Sequence, residues 1–193
     1  MPNYRRAWMP GGTWFFTLNL ARRHDNDLLV ERIDLLRDCV ARERARRPFF
    51  VLAWVVLPDH MHWLWRLPQG DTDFATRWRR IRTDFSRGIP PDRCRSPRRR
   101  RGERGIWQRR YWEHLIRDAD DLRRHMDYIH FNPVKHGHAA RVAQWPHSSF
   151  RSWVDRGAYP LDWGCASGTA LAESPAAVPP YAGDNAGKAP GDP

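Results

Sequence analysis

At 193 residues with 41% hydrophobic side chains and eleven tryptophans, the chain can build one domain with a true core, but not two large lobes or an (β/α)8 barrel of about 250 residues. Its 33 Lys plus Arg against 22 Asp plus Glu leave a formal charge of +11, and every cation is an arginine except Lys135 and Lys188; such an excess of planar, permanently charged guanidinium groups points to a polyanionic partner, most simply nucleic acid. Three dispersed cysteines without a CxxC pair argue against a zinc ribbon or a disulfide framework, and the lack of a leader-like segment or a long apolar run predicts a soluble, cytoplasmic protein with no membrane partner.

In chain order, the aromatic-rich segment 14–20 follows Gly11-Gly12 and predicts a first strand. Leu29, Ile33, Leu36 and Val40 recur at helical spacing, which predicts an amphipathic helix over 28–46 closed by Pro48. The apolar run 49–57 predicts a buried central strand; Pro58-Asp59 turns it back into a second strand over 60–67, a hairpin. A helix over 73–87 would carry Phe74, Trp78, Ile81 and Phe85 on one side and Arg77, Arg80 and Arg87 on the other. Residues 88–105, with Pro90-Pro91, Pro97 and the run Arg98-Arg99-Arg100-Arg101, predict a mobile basic loop. A strand follows over 107–117, then a helix from about 121 to 132, N-capped by Asp118 or Asp120 and stopped by Pro133. An irregular packing segment over 145–153 precedes an Ala, Gly and Pro tail, 166–193, for which disorder is expected. The order of elements predicts an α+β fold over 1–165, a ferredoxin-like sandwich of one antiparallel sheet with helices packed on it.

The chemistry-bearing feature is His60-Met61-His62. Residues two apart on a strand share a face, so both imidazoles project together while Met61 and Trp63 enter the opposite layer. Two such imidazoles are half of a divalent metal site, or else two half-exposed histidines on a solvated face. On the helix before Pro133, Leu122, Met126 and Ile129 form a stripe that should face the sheet. Tyr128 and Asn132, four apart, lie on its flank with Asp121 and His125 nearby. Asn132 can offer a neutral oxygen as third ligand. Tyr128 is then a candidate nucleophile; its alternative is a boundary residue with packed ring and wet hydroxyl. A phenol with a pKa near ~10 attacks phosphate poorly unless the site activates it. A divalent ion supplies that help by polarising phosphate oxygens, and the donor set favours Mg²⁺ or Mn²⁺ although imidazole also accepts zinc.

At these residues a resemblance emerges. The segment Trp54-Val55-Val56-Leu57-Pro58-Asp59-His60-Met61-His62 resembles the HUH signature, two histidines around a bulky apolar residue. Ile106-Trp107-Gln108-Arg109-Arg110-Tyr111-Trp112-Glu113-His114 resembles the tryptophan-glutamine strand of REP-associated tyrosine transposases, a group of single-tyrosine HUH transposases. Tyr128-Ile129-His130-Phe131-Asn132-Pro133-Val134-Lys135-His136-Gly137 resembles their tyrosine helix and its Asn-Pro end, and Trp145-Pro146-His147-Ser148-Ser149-Phe150 their C-terminal Trp-Pro-x-Ser-Ser pattern. The resemblance covers about 13–163, and its motifs occur in the family's order. It implies a ferredoxin-like fold, metal binding by His60, His62 and Asn132, and cleavage of single-stranded DNA by Tyr128 through a 5′-phosphotyrosine link. It also implies repetitive palindromic hairpins as substrate, and it favours a monomer while leaving a helix-swapped dimer open. The arginine-rich insertion around Arg95 to Arg104 departs from the pattern.

The expected partner is single-stranded or hairpin DNA. Trp107, Gln108, Arg109 and Arg110 are candidates for contacting it, with Trp107 stacking on bases or belonging to the core. Arg98, Arg99, Arg100 and Arg101 would contact phosphates without reading sequence. Tyr111 is the competing nucleophile. Two other readings remain open here: a non-catalytic DNA-binding repressor or architectural protein, and an RNA-directed metal phosphoesterase.

Overall fold

Alternating apolar residues at period two and at period 3.6 here produce β1 (Thr13–Asn19), α1 (Leu28–Glu31), α2 (Ile33–Arg46), β2 (Phe50–Val56), β3 (His60–Arg66), α3 (Phe74–Arg87), β4 (Trp112–Leu115), α4 (Ala119–Lys135) and α5 (Phe150–Val154). The structure is a computed structural model that describes residues 8–90 and 104–165. The expectations for Arg98, Arg99, Arg100 and Arg101 and for the tail concern residues outside the described ones.

The four strands make one antiparallel sheet in the order β2-β3-β1-β4. The helical crossover from β1 leads to β2 with β3 lying between them. The crossover from β3 leads to β4 with β1 between. This interleaved pair of split units is the ferredoxin-like arrangement expected from the order of elements. Pleating then sorts the side chains into two layers. Phe16, Leu18, Met61, Trp63 and Trp65 face α2 and α3, where Trp65 stacks on Trp78 at 4.0 Å between ring centroids. Phe15, Val55 and Leu64 face Met126 and Ile129 of α4 and Phe150 and Trp153 of α5. A bulge between Val51 and Ala53 adds Leu52 to the second layer. Val55 thereby stays opposite His62. The tryptophan-rich composition is thus largely spent on packing.

The Trp-Pro-x-Ser-Ser segment covers the outer edge of β2. Val56 N–H donates to His147 O at 2.9 Å, Ser149 N–H to Trp54 O at 3.0 Å, and Trp54 N–H to Ser149 Oγ at 2.9 Å. An edge strand left bare invites pairing with other chains, so this motif has a structural role.

Four sequence expectations change. The helix over 28–46 breaks at Arg32, whose backbone leaves the helical region (φ −116°, ψ 33°), because α1 is tied to the β2–β3 turn by Leu29 N–H to Pro58 O at 3.2 Å. Arg77 is not on the outer side of α3: it is buried, pairs with Asp71 at 2.6 Å and donates to the carbonyls of Arg47, Asp73 and Pro48. The strand expected over 107–117 shortens to β4 plus one bridge, Leu20 to Trp107, since Arg82 draws the carbonyls of Gln108 and Arg109 away from the ladder. Pro133 does not stop α4. It lies in the last turn, where its missing N–H removes a single hydrogen bond, and the helix closes on Gly137 instead. There His138 N–H donates to Pro133 O at 2.9 Å and Gly137 N–H to Val134 O at 3.0 Å, with Gly137 at φ +72°.

Candidate active site

β3 carries His60 and His62 into the layer shared with α4, as their spacing requires. Both are buried, at 4% and 2% exposure, and their ring centroids lie 5.1 Å apart at 85°. Each ring is held by a partner at Nδ1. His60 meets Asp59 Oδ1 at 2.6 Å, and Asp59 in turn accepts from Arg23 Nε at 2.6 Å. His62 meets the Thr17 hydroxyl at 2.8 Å across the β1–β3 pairing. Such partners fix ring orientation and tautomer, leaving Nε2 as the atom that could bind a cation. Burial lowers the pKa of His60 and takes that of His62 to about 3. Both are therefore neutral at pH 7, as imidazole ligands must be.

α4 brings the other candidates. Asp121, His125, Tyr128 and Asn132 fall at i, i+4, i+7 and i+11, so one side of the helix presents all four. Met126 and Ile129 beside them anchor the helix in the core. Asn132 is fully buried, donates from Nδ2 to Tyr128 O at 3.3 Å, and its carboxamide interacts with both imidazoles. Yet Asn132 Oδ1 and His62 Nε2 have no hydrogen-bond partner. A buried polar group without a partner costs about 1–3 kcal/mol. Two of them together, beside a second neutral imidazole, are a donor set that can hold a divalent cation. Tyr128 lies next to it, 38% exposed, its ring centroid 5.1 Å from that of His62. The structure places these four residues, singled out from the sequence, beside one another.

Reading the sequence assigned no site role to Lys135 and His136. Because α4 runs through Pro133, Lys135 Nζ sits 4.7 Å from the centroid of the Tyr128 ring, and the His136 ring 5.0 Å from that of His60. Their i+7 and i+4 spacing from Tyr128 and Asn132 would have revealed both had the helix been carried one turn further. Thr17 could be found only from the strand register.

A second cluster, His114, Asp121 and His125, also has metal-type ligand atoms within 4.8 Å of one another. Here the groups satisfy each other. Asp121 accepts from His114 Nε2 at 2.8 Å and Arg117 N–H at 3.1 Å, and meets His125 Nδ1 at 3.1 Å. Burial alone would raise the pKa of Asp121, but these hydrogen bonds lower it. No buried side-chain atom of the cluster lacks a partner, in contrast to the His62 and Asn132 pair.

Of the remaining candidates, Gln108, Arg109 and Arg110 are exposed, while Trp107 is half-buried on the far side of the sheet, against Phe85 and beneath Arg82. Tyr111 packs in that same far layer.

The chain is 47% identical over 163 residues to the REP-associated tyrosine transposase of Escherichia coli strain K12, covering 84% of this chain and 91% of the relative. The chain belongs to the REP-associated tyrosine transposases. A Haemophilus influenzae chain assigned to the same family is 44% identical over 167 residues, 85% of this chain and 94% of its own. The solved structure of a REP-associated tyrosine transposase bound to a REP hairpin superposes with a TM-score of 0.75 at 45% identity, over 89% of this chain and 96% of that one. No protein-family model matches. As a REP-associated tyrosine transposase the chain is an enzyme that uses a tyrosine nucleophile, and its HUH chemistry implies a divalent metal. Among the described residues no helix is long and apolar enough to cross a membrane.

Proposed function

We propose that this transposase cuts and rejoins single-stranded DNA beside a palindromic hairpin, with Tyr128 as nucleophile and His60, His62 and Asn132 holding Mg²⁺ or Mn²⁺. The observation that carries this reading is the pair of unpartnered buried atoms, His62 Nε2 and Asn132 Oδ1, beside the half-exposed phenol of Tyr128. When bound, the cation would polarise the scissile phosphate and offset charge in the transition state. The chain's own groups do the rest. Asp59 and Thr17 orient the imidazoles. Lys135, above the Tyr128 ring, adds a positive charge where a phosphate approaches. The Tyr128 oxygen attacks phosphorus, the bond from phosphorus to O3′ breaks, and the phenolic proton is balanced by the one the freed 3′ oxygen takes up. One phosphodiester replaces another, so a later 3′ hydroxyl can reverse the step without an external energy source.

Hairpin DNA as the substrate is supported by the similar chain solved with a REP hairpin. The exposed Gln108, Arg109 and Arg110, together with Arg98, Arg99, Arg100 and Arg101, are proposed to contact its backbone, with Trp107 contributing mainly packing. All four site residues come from one chain, which favours a monomer, and a DNA substrate favours the cytoplasm.

A labelled hairpin with single-stranded flanks, incubated with Mn²⁺ and resolved under denaturing conditions, tests the proposal. An adduct is expected for the wild type and for Tyr111→Phe, and none for Tyr128→Phe, His62→Ala or chelated samples. An adduct that survives Tyr128→Phe contradicts the assignment, and faster capture of an RNA hairpin contradicts the substrate.

A further inference from the structure

The sheet face that carries His62 continues past the candidate metal centre to its outer strand. On β1, Thr17 pairs with Trp112 of β4 and Phe15 with His114, so Trp112 and His114 point to the same side as His62 and Tyr128. Trp112 is 53% exposed, unusual for the largest apolar side chain on a strand. Its indole is nevertheless rigidly supported. His114 stacks on it at 5.7 Å and 8° between planes, and His125 stacks on His114 at 4.7 Å and 15°. Asp121 holds both imidazoles, its carboxylate meeting His114 Nε2 at 2.8 Å and its backbone carbonyl meeting His125 Nδ1 at 2.8 Å. Phe15 links this stack to the reaction centre: its ring lies 5.6 Å from Trp112, 5.9 Å from Tyr128 and 5.5 Å from His62.

A fixed aromatic stack ending in an open indole beside a nucleophile is a binding surface for another flat ring. A strongly basic chain that acts on unpaired DNA supplies such a ring, because bases in a duplex have both faces covered and unpaired bases do not. We propose that Trp112 is the stacking platform for an unpaired nucleobase of the strand that Tyr128 attacks, close to the scissile phosphate, and that the His114, His125 and Asp121 knot serves to hold that platform rather than to bind metal. The proposal deepens the reading of Tyr128 as nucleophile and rests on it for the strand's identity. Stacking gives affinity for the single-stranded flank with little preference among bases, leaving sequence choice to other contacts.

The test uses full-length protein carrying Tyr128→Phe, so that binding is measured without cleavage and its outcome is independent of the covalent-capture result. Hairpins with 2-aminopurine at successive positions of the single-stranded flank are titrated, alongside a hairpin with no flank. One flank position is expected to be quenched on binding. Adding Trp112→Ala should abolish that quenching and weaken binding of the flanked hairpin about tenfold, Trp112→Phe should retain most of both, and the unflanked hairpin should bind all three proteins equally. Unchanged quenching and flank affinity in the Trp112→Ala protein would overturn the proposal. So would an equal loss on flanked and unflanked hairpins, which would assign Trp112 to the fold or to the duplex.

Discussion

The imidazoles on β3 differ from free histidine chiefly in being dry and in having one nitrogen already engaged. Burial keeps His62 neutral to about pH 3, and the Thr17 hydroxyl and Asp59 carboxylate decide which nitrogen would face a cation held there. Loss of such a partner commonly lowers metal affinity by about 10–100-fold. Thr17→Val should therefore weaken Mn²⁺ binding in titration calorimetry by about tenfold, and, because it leaves the buried Nδ1 of His62 without a partner, lower stability by about 1–3 kcal/mol. Unaltered affinity would show that the threonine does not orient the ligand. Lys135→Ala should slow single-turnover cleavage, by an amount on the order of tenfold if its charge helps the transition state, and leave Mn²⁺ affinity intact. At this scale the candidate site was legible where local spacing determines geometry: His60 with His62 through the pleat, and Tyr128 with Asn132 through the helical turn. Thr17 was not, because its approach to His62 depends on how β1 registers against β3.

α4 is the element on which the site depends most, since it supplies the phenol, the carboxamide and the cations beyond Pro133. Its start follows a local rule: Asp118 Oδ1 accepts from Asp121 N–H at 2.7 Å. Asp118→Ala is expected to lower stability in urea by about 1 kcal/mol. Its end did not follow the rule applied to the sequence. A proline in the final turn breaks one hydrogen bond, and the two bonds closed around Gly137 offset that loss. Since Gly137 sits at φ +72°, Gly137→Ala should cost about 1 kcal/mol, with Lys135 and His136 loosened and cleavage slowed alongside. The strand over 107–117 was misjudged for a different reason. Its shortening comes from the Arg82 guanidinium, a contact across many residues that no local pattern contains.

Across the whole molecule, the interleaved topology puts the polar site in the layer between sheet and α4, with the tryptophan core on the other face. Order of elements and apolar periodicity made that architecture readable. The division of arginines between buried anchor and exposed surface was not, because Arg77 and Arg110 look alike until partners such as Asp71 are placed. His130 ties the two ends of the fold, its Nε2 3.1 Å from Ser149 Oγ beside β2, and burial lowers its pKa to about 3. Below about pH 6.5 the unfolded chain takes up a proton that folded His130 refuses, so its contribution to stability is complete above that pH and is lost as pH falls toward 3. Between pH 7.5 and 5.0, His130→Phe should lose about 2 kcal/mol less stability than the wild type in urea titrations. A parallel loss in both proteins would rule out this linkage.

The identity of the attacking group decides most of this account, and peptide mapping reads it directly. Trypsin cuts after Arg124 and Lys135, giving a peptide in which Tyr128 is the sole tyrosine, and after Arg110 and Arg117, giving one that contains Tyr111. After covalent capture of a nicked hairpin with Mn²⁺ and nuclease trimming, mass spectrometry should find a 5′-phosphonucleotide on Tyr128 alone. A nucleotide on Tyr111, or on any side chain outside α4, would contradict the account.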